Sequence, residues 1–496
     1  MAERDDQVIA AYERMPYAST LQPQTHPNNL ATLAFLRGIE TATPAQCRVL
    51  ELGCADGGNL VAMGIELPGS SFVGIDLVGA QIESGIERLQ QAGLTNIELL
   101  AMSIMDVEPA LGTFDFIICH GVYSWVDERV REKILSVCKE NLAPNGIAYV
   151  SYNTFPGWHL RQMVREMVQF HTRNLADDTE RVRQSVELIR LLTDVTGQAP
   201  VHPYAMYLRT AREQMERLSS ASYFIHEYLE TVNEPCYFHQ FASRAAAHGL
   251  QYVCEADPDS GDADHLQLEG FTQFVGNRID AEQYVDFAIN RAFRRTLLTH
   301  GGSNVSARVE ADRVRSLYIA SAAKAHGTAG TFRTDRGRMF TANQGLAKAV
   351  FEALAGAWPE SLSFDTLRVQ VDGNEPELVA MLDSLYANGA VELDLMPPQV
   401  TRIVSERPTA SRRARCEALR GNVVTTQRHR VINLDDPIAR FLVPLLDGSR
   451  DEAELLRLLE REIASGQVVL EPRASDARAM LGLQLRRAAE IALLVA

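Results

Sequence analysis

The sequence of 496 residues is sparing with cysteine and aromatics and has no long apolar run. Its seven cysteines (Cys47, Cys54, Cys119, Cys138, Cys236, Cys254 and Cys416) form no C-x-x-C pair and no Cys/His set with zinc-ligand spacing. That argues against a disulfide scaffold and a zinc module, and an odd, scattered set reads as reduced thiols of a cytoplasmic protein. No apolar stretch approaches the roughly 18 residues of a membrane span. The opening Met1-Ala2-Glu3-Arg4-Asp5-Asp6 is too charged to begin a secretory signal. Positive charge is also short, with 48 Lys and Arg against 64 Asp and Glu, a formal net charge of −16. Such a surface repels phosphate backbones, which argues against a nucleic-acid partner, and attracts cations such as lysine-rich proteins or amines. The rest is ordinary: 46% hydrophobic and 23% charged residues exclude disorder. At about 100–200 residues per domain, the length implies three or four units.

From Cys47 to Tyr152, short apolar strands alternate with helical stretches. Strands are expected at Arg48–Leu52, Ser71–Ile75, Ile97–Ala101, Phe114–Cys119 and Gly146–Ser151, with helices at Gln81–Ala92 and Glu128–Asn141. Five β-α repeats predict an α/β fold with a doubly wound, mainly parallel, Rossmann-like sheet. The alternation stops after Trp158. Leu160, Met163, Val164, Met167 and Val168, then Val182, Val186 and Ile189, have helical spacing and predict a helical insertion. Helix-like Tyr237–His248, strand-like Leu250–Glu255 and apolar, arginine-rich Tyr284–Leu298 would complete a seven-stranded sheet. A linker with one helix (Ala307–Ala325) is expected next. Two winged-helix-like modules follow, the first with helices at Leu346–Trp358, Leu362–Val369 and Glu375–Asn388 closed by the strand Val391–Leu395. The second has helices at Ile438–Leu446 and Asp451–Ile463. The expected boundaries are 1–158 (core), 159–233 (insertion), 234–300 (completion of the core), 301–337 (linker), 338–400 and 401–496.

The sharpest local signal is Val49-Leu50-Glu51-Leu52-Gly53-Cys54-Ala55-Asp56-Gly57-Gly58. A buried strand runs into a glycine turn, and a helix follows. Gly53 and Gly57 admit a ligand close to the backbone because no Cβ intrudes. The next strand ends at Asp76, where a carboxylate can accept hydrogen bonds from ribose hydroxyls. A nicotinamide cofactor would call for G-x-G-x-x-G. Here the spacing is G-x-x-x-G-G, and Glu51 would oppose a pyrophosphate but suits a cationic amino-acid group. The pattern E-x-G-C-x-x-G resembles motif I of class I S-adenosylmethionine-dependent methyltransferases. On that resemblance the cofactor is S-adenosylmethionine, held by Tyr17, Glu51, Gly53, Cys54, Gly57, Asp76, Leu77, Ser103, Ile104 and His120. Ser103 stands where this class often has an acidic adenine contact, and Asp106 either substitutes for it or caps a helix. His120 either braces its loop or touches the cofactor.

Strands four and five end in His120-Gly121-Val122-Tyr123-Ser124-Trp125-Val126 and Tyr152-Asn153-Thr154-Phe155-Pro156-Gly157-Trp158. In a doubly wound sheet both ends open on the crevice that holds the cofactor. Tyr123 and Trp125 are expected to face the acceptor, while Trp158 either joins them or packs beneath the insertion. A cation gains about 0.5–2 kcal/mol over an aromatic face, which favours an amine acceptor. No D/N-P-P-Y/F stretch follows strand four, as methylation of base amines would require.

Gln24-Thr25-His26-Pro27, the Glu51–Gly58 loop and the two aromatic segments resemble one family, as do His226-Glu227-Tyr228-Leu229-Glu230 and Glu234-Pro235-Cys236-Tyr237-Phe238. This is the group of bacterial methyltransferases with a methyltransferase regulatory domain, whose characterised relatives are rickettsial protein lysine methyltransferases. The resemblance implies methyl transfer to lysine amines of surface or exported proteins, often by a homodimer. Tyr123, Trp125, Asn153 and Trp158 would orient and desolvate the amine, and Tyr12 or Tyr17 would close the pocket. A small-molecule methyltransferase with a helical lid is one alternative. A nucleic-acid-binding regulator is another, through Arg412, Arg413, Arg415, Arg428 and Arg430, although a solvated face explains that basic cluster more simply.

Overall fold

The computed structural model describes residues 19, 21–197, 202–217, 221–257, 276–327, 330–335, 337–342, 344–467 and 476–495. Helix α1 (Pro27–Leu36) precedes the sheet. Then β1 (Arg48–Leu52), α2 (Gly58–Glu66), β2 (Ser71–Asp76), α3 (Gly79–Ala92), β3 (Ile97–Ala101), β4 (Phe114–Cys119), α4 (Glu128–Glu140) and β5 (Leu142–Asn153) alternate as the sequence predicts. The insertion contains α5 (Gly157–Thr172), α6 (Asp178–Thr196) and α7 (Pro203–Glu216), and ends in a π-helical turn, Ile225–Leu229. Helix α8 (Phe238–Ala247), β6 (Leu250–Glu255), α9 (Arg278–Ile289) and β7 (Phe293–His300) complete the core.

The seven strands lie in the order β3-β2-β1-β4-β5-β7-β6, with β7 antiparallel to both neighbours. The chain leaves β1 toward β2 and β3 on one side and takes up β4 and β5 on the other. The crevice at the carboxyl ends of β1 and β4 is therefore the topological switch point, where such sheets bind ligands. Strand periodicity divides the core. Val49, Phe116 and Ile118 face one layer, and Leu50, Leu52, Ile117 and Cys119 face the other. The fifth strand begins at Leu142, earlier than the expected Gly146, and Pro144-Asn145 lies within it, where the register against β4 shifts between Phe114 and Phe116.

The segment expected as a linker helix is instead a 3₁₀ turn (Ala311–Ser316) followed by the strand Tyr318–Ala320. That strand is the centre of a three-stranded antiparallel sheet, between Leu362–Ser363 and Glu392–Asp394. Helices Gly345–Ala357, Phe364–Val371 and Glu375–Ala387 pack on it. Three residues are too few to show a period, and their partners lie more than 40 residues away. This middle unit shares one apolar core with α1 and a face of the large sheet, joining Leu30 and Val49 to Ile319, Phe351 and Leu382. The insertion and the C-terminal unit have cores of their own. No described helix is long and apolar enough to cross a membrane.

Four of the five arginines in the basic cluster bridge units of the fold, and of these Arg413 and Arg428 are buried, Arg430 is half-buried and Arg412 is exposed. Arg413 pairs with Glu66 of α2 at 2.6 Å, and Arg428 pairs with Glu392 and Asp394 at 3.1 and 3.2 Å. Arg430 pairs with Asp335 and Glu392, and Arg412 donates to the Ala92 carbonyl at the end of α3. Arg415 donates within its own unit, to the Ala410 carbonyl.

Candidate active site

The β1–α2 turn folds as its glycines require. Gly53 and Gly57 have φ of 74° and 71°, in the left-handed region. A Cβ on Gly53 would lie 2.5 Å from Val122, so the glycine loop and the loop after β4 meet there. The Gly53 and Cys54 amides donate to the Ile75 carbonyl, and the Cys54 thiol is buried and pushed well up by that burial. Asp76 closes the turn, its two oxygens accepting from the Ala55 and Val78 amides at 2.8 and 2.9 Å. Burial raises its carboxyl above the ordinary range.

Glu51 is the unusual group. It is 5% exposed, one oxygen accepts from Asn59 Nδ2 at 2.8 Å, and the other is buried with no hydrogen-bond partner among the described residues. Burial pushes its carboxyl up to about 8, with Asp76 and Asp56 adding to the shift and Asn59 offsetting part of it. A buried carboxylate lacking a cation of its own is costly unless a bound cation completes it. An orphaned carboxylate oxygen beside a glycine turn therefore fits the ammonium of S-adenosylmethionine. Sequence reading missed Asn59, which links Glu51 to Thr25 Oγ1 (3.1 Å) and accepts from the Gln22 amide (2.9 Å). The Q-T-H-P stretch was the available signal, and its partner became visible only in the fold.

The other expected cofactor residues take defined places. Leu77 follows Asp76 and is half-buried. Ser103 caps the short 3₁₀ turn Ile104–Asp106 by accepting from the Met105 amide at 3.2 Å, and Asp106 is exposed. His120 Nδ1 is 2.9 Å from the Tyr149 hydroxyl, and burial, aided by Arg295, lowers the ring to about 4, so it is neutral at physiological pH. Tyr12 and Tyr17 lie outside the described residues.

The aromatic rim departs from expectation. Tyr123 is fully buried, its ring 5.2 Å from Phe241 (edge-on) and 6.0 Å from Tyr152, because the 3₁₀ turn Tyr123–Trp125 directs it into the space between β5 and α8. It does not face an open crevice. Trp158 is 1% exposed and meets half-buried Trp125 edge-on at 6.4 Å. Asn153 is buried, its amide donating to Ser124 Oγ at 2.9 Å and its side chain to Asn233 at 3.2 Å. Two arginines of α5, which the sequence did not mark, lie over the tryptophans: Arg165 at 5.5 Å from Trp125 and Arg161 at 5.2 Å from Trp158. Arg161 pairs with Glu227 at 2.5 Å, and Arg165 donates to the Glu227 and Glu230 carbonyls around the π-helical turn. This gives the H-E-Y-L-E segment its place, as the anchor of the guanidiniums over the rim.

Three family models match separate stretches: a methyltransferase domain (49–146), a predicted methyltransferase regulatory domain (220–300) and a PKMT C-terminal winged helix domain (406–489). Two Rickettsia prowazekii proteins are each 37% identical to the chain. RP789 matches over 310 residues, 62% of this chain and 56% of its own length, so the chain spans about half of that relative; RP028 matches over 47% of this chain and 93% of its own length. The solved structure of PKMT2 from Rickettsia typhi is similar over 97% of this chain and 100% of that one, with a TM-score of 0.86 and 26% identity. The same protein in complex with AdoHcy gives 0.85.

Proposed function

This chain belongs to the S-adenosylmethionine-dependent methyltransferases of the rickettsial PKMT type, and we propose that it N-methylates lysine side chains of a protein substrate. The observation that carries this reading is the likeness to PKMT2 along 97% of the chain, which extends through the winged-helix unit as well as the core.

In this reading Glu51 holds the cofactor's ammonium, the backbone of Gly53–Gly57 approaches its amino-acid end, and the free lone pairs of Asp76 receive the ribose hydroxyls. Leu77, Ser103, Ile104 and His120 flank the base, and Tyr17 closes the site from the N-terminal segment. When bound, S-adenosylmethionine supplies a methyl group on a sulfonium, a leaving group that needs no acid. The residues' work is then to orient and neutralise the amine. A lysine of pKa about 10.4 is only about 0.04% neutral at pH 7, a deficit of about 4.6 kcal/mol. Desolvation and nearby positive charge both lower an amine pKa. Trp125 supplies the first, and Arg165, whose hydrogen bonds go to backbone carbonyls, the second. Tyr123, Asn153 and Trp158 support Trp125 from behind.

Exposed Phe170, Leu191, Val195 and Met206 on the insertion helices support a homodimer paired through that unit. The engagement of Arg412, Arg413, Arg428 and Arg430 inside the fold favours a protein-docking role for the C-terminal units over a nucleic-acid role. The deciding experiment incubates methyl-labelled S-adenosylmethionine and a cell extract with the wild type, Gly53→Arg and Asp76→Ala. Label in protease-sensitive, high-molecular-mass material, lost with both variants, is the expected result. Label confined to small molecules would overturn the protein acceptor.

A further inference from the structure

Helix α2 begins at the glycine turn and ends at Glu66, a carboxylate for which the cofactor site has no use. Two other parts of the chain converge on it. Arg413 Nη1 of the C-terminal unit is 2.6 Å from one Glu66 oxygen; His26 Nε2 and His429 Nδ1 are 3.4 and 3.5 Å from the other. The two imidazoles lie against each other with centroids 4.1 Å apart. Arg413 is 2% exposed, and its Nη2 donates to the Thr426 carbonyl at 2.7 Å. Two histidines and a glutamate could suggest a divalent metal. However, His26 Nδ1 accepts from the Asn28 amide at 3.2 Å, so the ring proton sits on Nε2, facing Glu66. With a donor on one side and a guanidinium on the other, the group is a clasp on a carboxylate.

The opposite end of α2 is held by the same short segment. Gln22 and Thr25 bind Asn59, which in turn binds Glu51, and the next residue, His26, reaches Glu66. The helix between them has 9 residues, roughly 13 Å of hydrogen-bonded rod. Its C-terminus cannot shift along the axis without moving Asn59 and the turn from Gly53 to Gly57.

We propose that Glu66 and Arg413 are positioning residues for the cofactor: docking of the C-terminal unit through Arg413 sets α2, and with it the Glu51–Asn59 pair and the glycine turn. The inference rests on the cofactor reading above. Arg428 provides an internal control. It is equally buried at the same junction, but its ion pairs are with Glu392 and Asp394, not with Glu66.

The test uses the full chain and AdoHcy as probe. Intersite couplings typically amount to about 5–150-fold in affinity and are reciprocal. Titration calorimetry is expected to show Arg413→Met and Glu66→Gln weakening AdoHcy binding about tenfold, with partial rescue in Arg413→Lys. Arg428→Met is expected to stay within about twofold of wild type even where it lowers the unfolding temperature as much. In the wild type alone, added AdoHcy is expected to slow amide hydrogen exchange across 412–430. Equal weakening by Arg413→Met and Arg428→Met, or AdoHcy binding with no protection of 412–430, would overturn the proposal. A wild type that binds no AdoHcy would instead overturn the cofactor reading and this one with it.

Discussion

Glu51 in β1 and Glu255 at the end of β6 are carboxylates of one sheet, 5% and 3% exposed, and they have opposite environments. Glu255 receives Arg294 Nη1 at 2.7 Å, Thr296 Oγ1 at 2.9 Å and the Arg295 amide at 2.8 Å. Burial pushes its carboxyl up, but Arg294 and Arg291 more than offset this and hold it below the ordinary range. Arg294 also pairs with Asp286 and Glu282, completing a buried knot at the sheet edge. Glu51 is as deeply buried and has no cation against it among the described residues, and its carboxyl lies far above the ordinary range. A buried charge whose counter-ion is folded into the chain is scaffold. A buried acid without one, held protonated in the ligand-free fold, marks where a ligand's positive charge belongs.

The contrast breaks first at Arg294. Arg294→Met leaves three carboxylates around one vacated cation, and equilibrium urea unfolding is expected to show a loss of about 3–5 kcal/mol. Glu51→Gln should separate stability from binding. Its ligand-free stability is expected to match or exceed wild type, while AdoHcy affinity by calorimetry falls by about 2–3 kcal/mol, roughly thirtyfold or more.

The two glutamates also respond oppositely to pH. Glu51 holds its proton in the folded chain up to about 8, against an ordinary value of 4.5. Between those values the folded state binds the extra proton, so stability falls as pH rises, by at most about 1.4 kcal/mol per unit. The depressed Glu255 works the other way: its contribution is present above the unfolded value and is lost as pH falls through the folded one. Urea unfolding of wild type and Glu51→Gln from pH 5 to 8 is expected to show the neutral-range slope flattened in the variant. The smallest expected effects lie at the rim. Trp125→Ala is expected to lower acceptor turnover about tenfold (about 1.4 kcal/mol) with AdoHcy affinity unchanged. Tyr123→Phe, which removes only a hydroxyl from an enclosed ring, is expected to cost about 1 kcal/mol of stability or less.

Much of this contrast was readable before folding. The bounds of β1, β3, β4 and β6 match the expected strands because each is a short, mainly apolar run. The glycine turn, Glu51 and Asp76 are contiguous with those strands, so local spacing marked them. The strand Tyr318–Ala320 is too short to carry a period, and the residues around it have helical spacing. Strand ends face the crevice, which points Tyr123 toward it, but a single turn of 3₁₀ helix decides which way the ring lies.

By itself the sequence determined the succession of strands and helices in the core's first half, the turn that approaches a ligand and the carboxylate waiting there. Each depends on residues within a few positions of one another, where backbone preference and periodicity act. Tertiary structure alone decided that Glu51 has no counter-ion among the described residues while Glu255 has one, that Arg165 lies over Trp125, and that Arg413 closes on Glu66 across nearly 350 residues of chain. Charge pairing over such separations leaves no periodic trace. It is set by which surfaces the folded units bury against each other.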